Sequence, residues 1–506
     1  MKDLEKSNTK LIPLQKHVFQ EEALQKSLRK EKKLKNILFV SIIISLILGY
    51  VAGSILPSQG LNQLRNRLQE GQVISDNKIN AVLDIMKKNW FFGKDISNLS
   101  SRLEDQALKG ITSNKEDDHT EYMTKEEVVA FNNQLKRQYV GIGIQYLKSN
   151  EKILVQKVFR NSPAEKAGVQ VGDLISKVNG TSLEGKTVNE TRDLVRGKEG
   201  TKIVLEVQRG SKIISLQVTR GPVLASTYGK IINDTTAYLE LFQFGESTHV
   251  ELKPYLDEFE KKGVTKLIVD LRDNGGGYLT TLKDIASYFL SPKTTVMEQV
   301  YSDGSREVIR TSGKPYKNFK QIVLLVNENT ASASEVLTLA LKEQRKDVTV
   351  IGTKTYGKGT VQVSRAFRDG SAIKYTTSKW VSPKGEWINK KGIEPDIKTD
   401  VPEVLRTAQP NLKEGDVLKV DSVSPVTKYA QEALAYLGYQ PGRRDGYFSE
   451  QMRKAILKFQ EKEGLETTGA INRKTYNAIV SRMVYVYNTD KSKDKAYQKA
   501  LEVLHG

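Results

Sequence analysis

The spacing of apolar positions changes several times along the chain. Residues 37–56 (ILFVSIIISLILGYVAGSIL) are one run of 20 residues without a charge. That is about the ~20 needed to cross a bilayer core. Beyond it Leu61, Leu64 and Leu68, then Ile79, Val82, Leu83 and Ile85-Met86, recur at helical spacing, so residues 58–136 are predicted helical. Thr124-Lys125-Glu126-Glu127 has the form of a capped helix start. Such a Leu-rich stripe is ordinary core or, read more sharply, a face on which two copies pack as a homodimer. From Tyr139 the period shifts towards two. Strands are expected at 153–158, 202–208 and 212–218, with a helix at 188–195. Between 223 and 400 strands and helices alternate. Strands are expected at 237–242, 266–271, 322–326 and 348–351, and helices at 249–262 and 334–343, which is α/β patterning around a parallel sheet. A polar linker at 401–420 precedes a compact helical unit at 421–484. The Lys-rich stretch 485–506 reads as a solvated helix.

At 506 residues the chain should hold three or four domains. It has no cysteine, which excludes thiolate nucleophiles, disulfides and thiolate-bound zinc. Its four histidines, His17, His119, His249 and His505, are far apart, so metal clusters and Ser-His-Asp triads are poor candidates. No metal and no cofactor is expected. The net charge of +19 calls for a polyanionic neighbour. Residues 1–36 end in Arg29-Lys30-Glu31-Lys32-Lys33-Leu34-Lys35, a basic flank that stays cytoplasmic and puts everything after Pro57 outside. The run at 37–56 exceeds the 7–15 residues of a signal-peptide core and lacks an A-x-A site, so an uncleaved single-pass anchor in the lipid bilayer is expected. An outside body excludes nucleic acid as partner and suits an anionic cell wall.

Two regions carry module-like patterns. Val140-Gly141-Ile142-Gly143-Ile144, Ser162-Pro163-Ala164 with Ala167-Gly168, Gly172-Asp173-Leu174-Ile175 and Asn179-Gly180 fall in order across residues 137–222. This β-rich region resembles a PDZ domain. Glycines in 140–144 can bring backbone N–H groups to a peptide carboxylate, and the strand beside them can add a peptide strand. Leu437-Gly438-Tyr439, Asp445-Gly446-Tyr447-Phe448, Ala455 to Phe459-Gln460 and Gly464-Leu465 with Gly469 resemble a three-helix peptidoglycan-binding domain.

Three segments stand out in the α/β region: Asp270-Leu271-Arg272-Asp273-Asn274-Gly275-Gly276-Gly277, Asn327 to Glu335 (NENTASASE), and Gly352 to Gln362 (GTKTYGKGTVQ). Each follows a strand, where loops of an α/β sheet face the ligand crevice. A small-residue run entering a helix presents a serine hydroxyl and the next N–H to one carbonyl. Gly352-x4-Gly357-Lys358 also approaches a phosphate loop, but Gly359 stands where a hydroxyl should be and a strand follows.

Together the three segments and the upstream PDZ-like region resemble the carboxyl-terminal processing peptidases, over residues ~75–400. The resemblance implies a multidomain α+β chain with a ClpP/crotonase-like α/β protease core. It implies a Ser-Lys dyad of Ser332 and Lys358, with Thr330 and Ser334 flanking the nucleophile. Gln362 would position the lysine. Ala333 and one glycine of 275–277, best Gly276, would form the oxyanion hole. The family usually has Asn-Pro-Gly-Gly there, so the loss of proline leaves the choice of glycine open. A lysine is charged at its ordinary pKa of about 10.4, and burial lowers it enough to make a base. The expected substrates are proteins with free carboxyl ends, held by the PDZ loop Val140–Ile144 and cleaved for processing or degradation at the bacterial envelope. Arg196, at the end of the PDZ helix, is the candidate regulatory contact to the core. The alternatives are a non-catalytic PDZ and wall-binding scaffold and, weakly, a peptidoglycan hydrolase.

Overall fold

The structure is a computed structural model that describes residues 77–136, 138–149 and 152–505. The expected tail and anchor, residues 1–56, lie outside the described residues, as do Leu61, Leu64 and Leu68. Among the described residues no helix is long and apolar enough to cross a membrane. The chain divides into two compact units. One runs to Val128 and includes Ser364–Tyr375; the other holds Val129–Val363 and the chain from Thr376.

The described residues 77–128 of the first unit are mainly helical, as expected from their periodicity. Helix α1 is Lys78–Asn89, α2 is Leu99–Thr112, strand β1 is Glu121–Met123, and α3 begins at Lys125 and ends at Lys136. The predicted capping box forms: Thr124 N–H donates to Glu127 and Glu127 N–H donates to the Thr124 hydroxyl. Strand β1 pairs antiparallel with residues 372–374.

The second unit starts with the β-rich region. Its strands are β2 (Gln138–Gly141), β3 (Ile144–Ser149), β4 (Lys152–Val158), β5 (Leu174–Val178), β6 (Thr181–Ser182), β7 (Lys202–Arg209) and β8 (Lys212–Thr219). The short helix α4 (Pro163–Lys166) is capped by Ser162, and α5 is Val188–Val195. The sheet runs β3-β4-β5-β7-β8, which leaves β3 at an edge. Ile153, Ile175, Ile203, Leu205 and Val207 fill the core. Strand β9 (Gly221–Leu224) pairs back onto β2 and leads into the α/β core.

The core elements are β10 (Thr227–Asn233), β11 (Thr236–Leu241), α6 (Thr248–Lys261), β12 (Lys266–Asp270), α7 (Leu279–Ser287), β13 (Thr295–Tyr301), β14 (Arg306–Arg310), β15 (Gln321–Val326), α8 (Ala333–Gln344), β16 (Val348–Gly352), β17 (Thr360–Ala366), β18 (Ala372–Val381) and β19 (Ile397–Lys398). The main sheet has the order β10-β11-β12-β15-β16-β19 and is parallel except at β10. Alternation sorts its side chains. Leu239, Leu267, Val269, Leu324, Val326 and Val350 face α6, α7 and α8. Tyr238, Ile268, Val323, Leu325 and Ile351 face the other way. Parallel sheets are apolar on both faces, so the second face also needs a cover.

That cover corrects the expectation for the chain end. After α9 (Glu403–Arg406), helices α10 (Pro425–Tyr436), α11 (Glu450–Lys462) and α12 (Arg473–Thr489) form a three-helix unit around Leu434, Phe448, Ile456, Phe459 and Ile479. Residues 485–506 are not a solvated tail. They finish α12 and form α13 (Lys495–His505), whose Ala496, Tyr497, Ala500 and Leu504 bury against the second face of the sheet. Lys491, Lys493 and Lys495 precede these positions and Lys499 lies among them, so the charge count hides an amphipathic stripe.

Candidate active site

Strand β15 is apolar because it is buried on both faces, and it ends at Val326, just before Asn327. The chain turns through Thr330 and Ala331 and enters α8 at Ser332. Ser332 has φ 57° and ψ −122°, a conformation that non-glycine residues rarely hold. Its surroundings over-determine it. Glu335 N–H and Val336 N–H donate to the Ser332 carbonyl at 2.8 and 3.0 Å, and Ser332 N–H donates to Glu335 Oε2 at 2.8 Å. Ala331 N–H and the Ser334 hydroxyl donate to the Asn274 carbonyl at 3.0 and 2.9 Å, while Thr330 Oγ1 donates to the Leu271 carbonyl at 2.9 Å. The serine loop and the glycine loop are thereby sewn together.

Gly276 lies against the serine. A Cβ there would sit 2.8 Å from the Ser332 Cβ and 2.9 Å from the Ala333 nitrogen, and its φ is +100°. Gly277 is equally constrained, since a Cβ would meet the Phe244 carbonyl oxygen at 2.2 Å. Gly275, in the family's proline position, has open space around it and no positive φ, so the loop does not depend on proline there. The structure thus brings Ser332, Ala333 and Gly276 together. In this conformation Gly276 N–H donates to Asn274 Oδ1 at 2.9 Å. Ala333 N–H opens α8, where the first amides have no partner within the helix.

Lys358 is half-buried on the third segment, and its loop is held from every side. Gly357 has φ +88°, and a Cβ there would strike the Gly392 nitrogen at 2.7 Å. A Cβ at Gly359 would strike Trp387 Nε1 at 2.6 Å. Trp380 Nε1 donates to the Lys358 carbonyl at 2.8 Å and Trp387 Nε1 to the Gly359 carbonyl at 2.9 Å. Gln362, on β17, donates its amide to the hydroxyls of Thr360 and Thr376 at 2.9 and 3.0 Å.

Sequence reasoning missed the residue that links the two loops. Glu335 is fully buried. Its Oε2 accepts from both Ser332 N–H and Lys358 N–H, at 2.8 and 2.9 Å. Its Oε1 accepts from Gly357 N–H at 2.7 Å and Thr355 Oγ1 at 2.6 Å. Burial pushes the Glu335 carboxyl up, against the opposing pull of the hydrogen bonds from Thr355, Lys358, Gly357 and Ser332. The Ser332-x-x-Glu335 spacing of a capping box was the available signal. This carboxylate also disposes of the nucleotide reading, because it occupies the Gly357 and Lys358 amides that a phosphate would need.

In the PDZ-like loop, Ile142 and Ile144 are buried in the core and Gly143 has φ +82°, where a Cβ would meet Ser162. The carbonyls of Ile142 and Gly143 accept from Ala164 and Phe159, so they point back into the domain. Val140 and Gly141 lie on β2. Arg196 is exposed and its guanidinium lies 5.0 Å from the centroid of the Tyr139 ring. Tyr139 belongs to β2, and the ties to the α/β core are made by residues the sequence did not single out. Lys157 pairs with Glu240 at 2.7 Å and lies over the Phe242 ring. Arg160 pairs with Glu258, donates to the Pro254 carbonyl at 2.7 Å and stacks 4.1 Å from the Tyr255 centroid. Among the described residues no group of His, Cys, Asp and Glu is arranged to hold a metal ion.

Comparison with known proteins agrees with this architecture. Residues 235–399 match the model of peptidase family S41, 155–209 a PDZ domain and 424–479 a peptidoglycan binding domain. The chain is 34% identical over 478 residues to a CtpA-like serine protease of Staphylococcus aureus (strain MW2), covering 94% of each chain. It is 34% identical over 429 residues to the carboxy-terminal processing protease CtpA of Bacillus subtilis (strain 168), covering 84% of this chain and 90% of that one. Among solved structures, the photosystem II D1 C-terminal processing protease is 27% identical with a TM-score of 0.37, covering 60% of this chain and 83% of that one. The chain belongs to peptidase family S41 and is a serine peptidase of the carboxy-terminal processing type, so the scaffold alternative falls away.

Proposed function

We propose that this peptidase works through a Ser332–Lys358 dyad, anchored in the membrane by residues 37–56 with its body outside the cytoplasm. The observation that carries the dyad is the single Glu335 oxygen that accepts from the backbone N–H of both residues. In the mechanism the Lys358 amine takes the Ser332 Oγ proton as the oxygen attacks the substrate carbonyl. The tetrahedral oxyanion is met by Ala333 N–H and by Gly276 N–H, which must leave Asn274 Oδ1 to do so. The lysine then returns the proton to the leaving amine, and water repeats the cycle to release the acyl group. Gln362 orients the lysine.

The exposed edge of β3 and the glycine loop beside it support capture of an extended carboxyl-terminal segment of a protein substrate. Binding there favours the aligned site by population shift, through Arg196 and the Lys157 and Arg160 ties. The three-helix unit and the positive charge suit anionic cell wall. A second copy is proposed to cover the N-terminal helical region, where Ile79, Val82 and Ile85 of α1 and the adjacent Phe91 and Phe92 are exposed.

The test uses the full chain against an unfolded protein with an apolar carboxyl end. Ser332→Ala and Lys358→Ala should abolish cleavage, and a fluorophosphonate should label wild type at Ser332. Cleavage at the wild-type rate by either variant would end the dyad reading.

A further inference from the structure

The glycine loop of the active site begins at a buried charge cluster that includes a residue from the far end of the chain. Arg272 is two residues before Asn274. Its Nη1 and Nη2 donate to Oδ1 and Oδ2 of Asp494, each at 2.9 Å, a two-pronged pairing. Its Nε and Nη2 donate to Asp270 at 2.9 and 2.6 Å. The Arg272, Asp270 and Asp494 side chains are only 15%, 5% and 7% exposed. Tyr238 donates its hydroxyl to Asp270 at 2.8 Å, and Lys491 lies 3.4 Å from Asp494. Two carboxylates thus face two cations, which keeps the cluster neutral at depth. Asp494 also accepts from Tyr497 N–H at 3.1 Å, at the start of α13.

The network continues into the site. Asp273, next to Arg272, has φ 60°, and it is held there by the serine loop. Asp273 N–H donates to Asn327 Oδ1, and Asp273 Oδ1 accepts from the amides of Asn327 and Asn329 at 2.9 and 2.8 Å. From there Asn274 bonds Ala331 and Ser334, and Gly276 abuts Ser332. A small cavity lined by Arg272, Asn327, Thr353, Tyr487, Asp494 and Ala496 lies beside the cluster.

We infer that Asp494 is a positioning residue for the peptidase reaction: it holds Arg272, and through it the glycine loop, in register with Ser332. Asp494 itself, rather than the helix that follows it, is therefore tied to the reacting loops. This rests on Ser332 being the nucleophile. Without Asp494, Arg272 keeps only Asp270, and the loop gains freedom where displacements of about 1 Å cost up to about a hundredfold in rate.

The experiment measures kcat and KM per titrated active site for the full chain, together with the melting temperature. Asp494→Asn should lower kcat about tenfold with KM unchanged, and Asp494→Glu should recover most of it. Leu504→Ala weakens the docking of α13 without touching the pair; it should lower the melting temperature but leave kcat per active site unchanged. Should Asp494→Asn not fold, Arg272→Lys keeps the charge, loses the two-pronged pairing and should show the same loss of kcat. Wild-type kcat per site in Asp494→Asn, or in Arg272→Lys where the first does not fold, overturns the inference. An equal kcat loss in Leu504→Ala does so too, since a general structural role would then suffice. Ser332→Ala, run alongside, separates the two levels: if it still cleaves, the nucleophile assignment fails first.

Discussion

Glu335→Gln is the most informative single change, because it keeps the shape of the side chain and removes one acceptor oxygen. The carboxylate accepts four hydrogen bonds, two per oxygen. An amide nitrogen on the Oε2 side would face Ser332 N–H and Lys358 N–H, two donors with no means of turning. On the Oε1 side it would face Gly357 N–H and Thr355 Oγ1. The Thr355 hydroxyl already accepts from Ile393 N–H and can rotate to accept again. The amide will therefore settle on the Oε1 side and leave Gly357 N–H unpaired. A buried orphan donor costs about 1–3 kcal/mol, and the surviving bonds to Ser332 and Lys358 lose about half their strength with the charge. Relief of burying that charge offsets part of this, so a loss of about 2 kcal/mol in stability is expected. The effect on catalysis should be larger than stability alone implies, about ten- to a hundredfold in kcat, because both reacting loops are loosened. The assay is active-site titration with steady-state kinetics, run beside a urea melt. A variant with kcat per site within twofold of wild type would refute the linking role. pH separates activity from stability here. A buried carboxyl whose native pKa is raised favours the folded state below the ordinary Glu range and loses that contribution as pH rises through the native value. Acid should thus weaken activity by protonating Glu335 without this group weakening the fold.

Three further predictions follow different parts of the molecule. Gly276→Ala should abolish activity, since its Cβ would lie 2.8 Å from the Ser332 Cβ, and a fluorophosphonate should no longer label the serine. For Asp494, burial pushes the carboxyl up but Arg272 and Lys491 pull harder and hold it at about 2, against an ordinary 3.8. That contributes roughly 2 kcal/mol above pH ~4, lost as pH falls towards 2, so Asp494→Asn should flatten acid unfolding in that window when followed by circular dichroism. Arg160→Ala removes the pairing with Glu258 and the stacking on Tyr255, and should speed hydrogen exchange at the β2–β9 junction while leaving the PDZ sheet protected.

The parts of the fold written in periodicity were legible. The parallel strands of the core and the helix at Val188–Val195 stand where the apolar spacing puts them, because burial on a fixed face leaves a local trace. The candidate site was legible as motifs, and the glycines flanking Lys358 and facing Ser332 are demanded by contacts too close for a side chain. What escaped was relational. Glu335 looks like an ordinary first-turn acid until the Lys358 loop folds over it. Arg272 and Asp494 are 222 residues apart, and nothing local pairs them. The stripe of Ala496, Tyr497, Ala500 and Leu504 is visible in the chain end, but Lys491, Lys493, Lys495 and Lys499 around it draw the reading towards a solvated helix.

The position of α13 also governs the order in which the enzyme can be made. A chain grows from its first residue, and the strands of the protease sheet emerge long before residue 495. Until α13 and Asp494 just before it are released, Tyr238, Ile268, Val323, Leu325 and Ile351 lack its cover, and Arg272 has only one of its two carboxylates. The second face of the sheet closes only when α13 docks, so the core of a protein-cutting enzyme is finished only after the three-helix unit has been made.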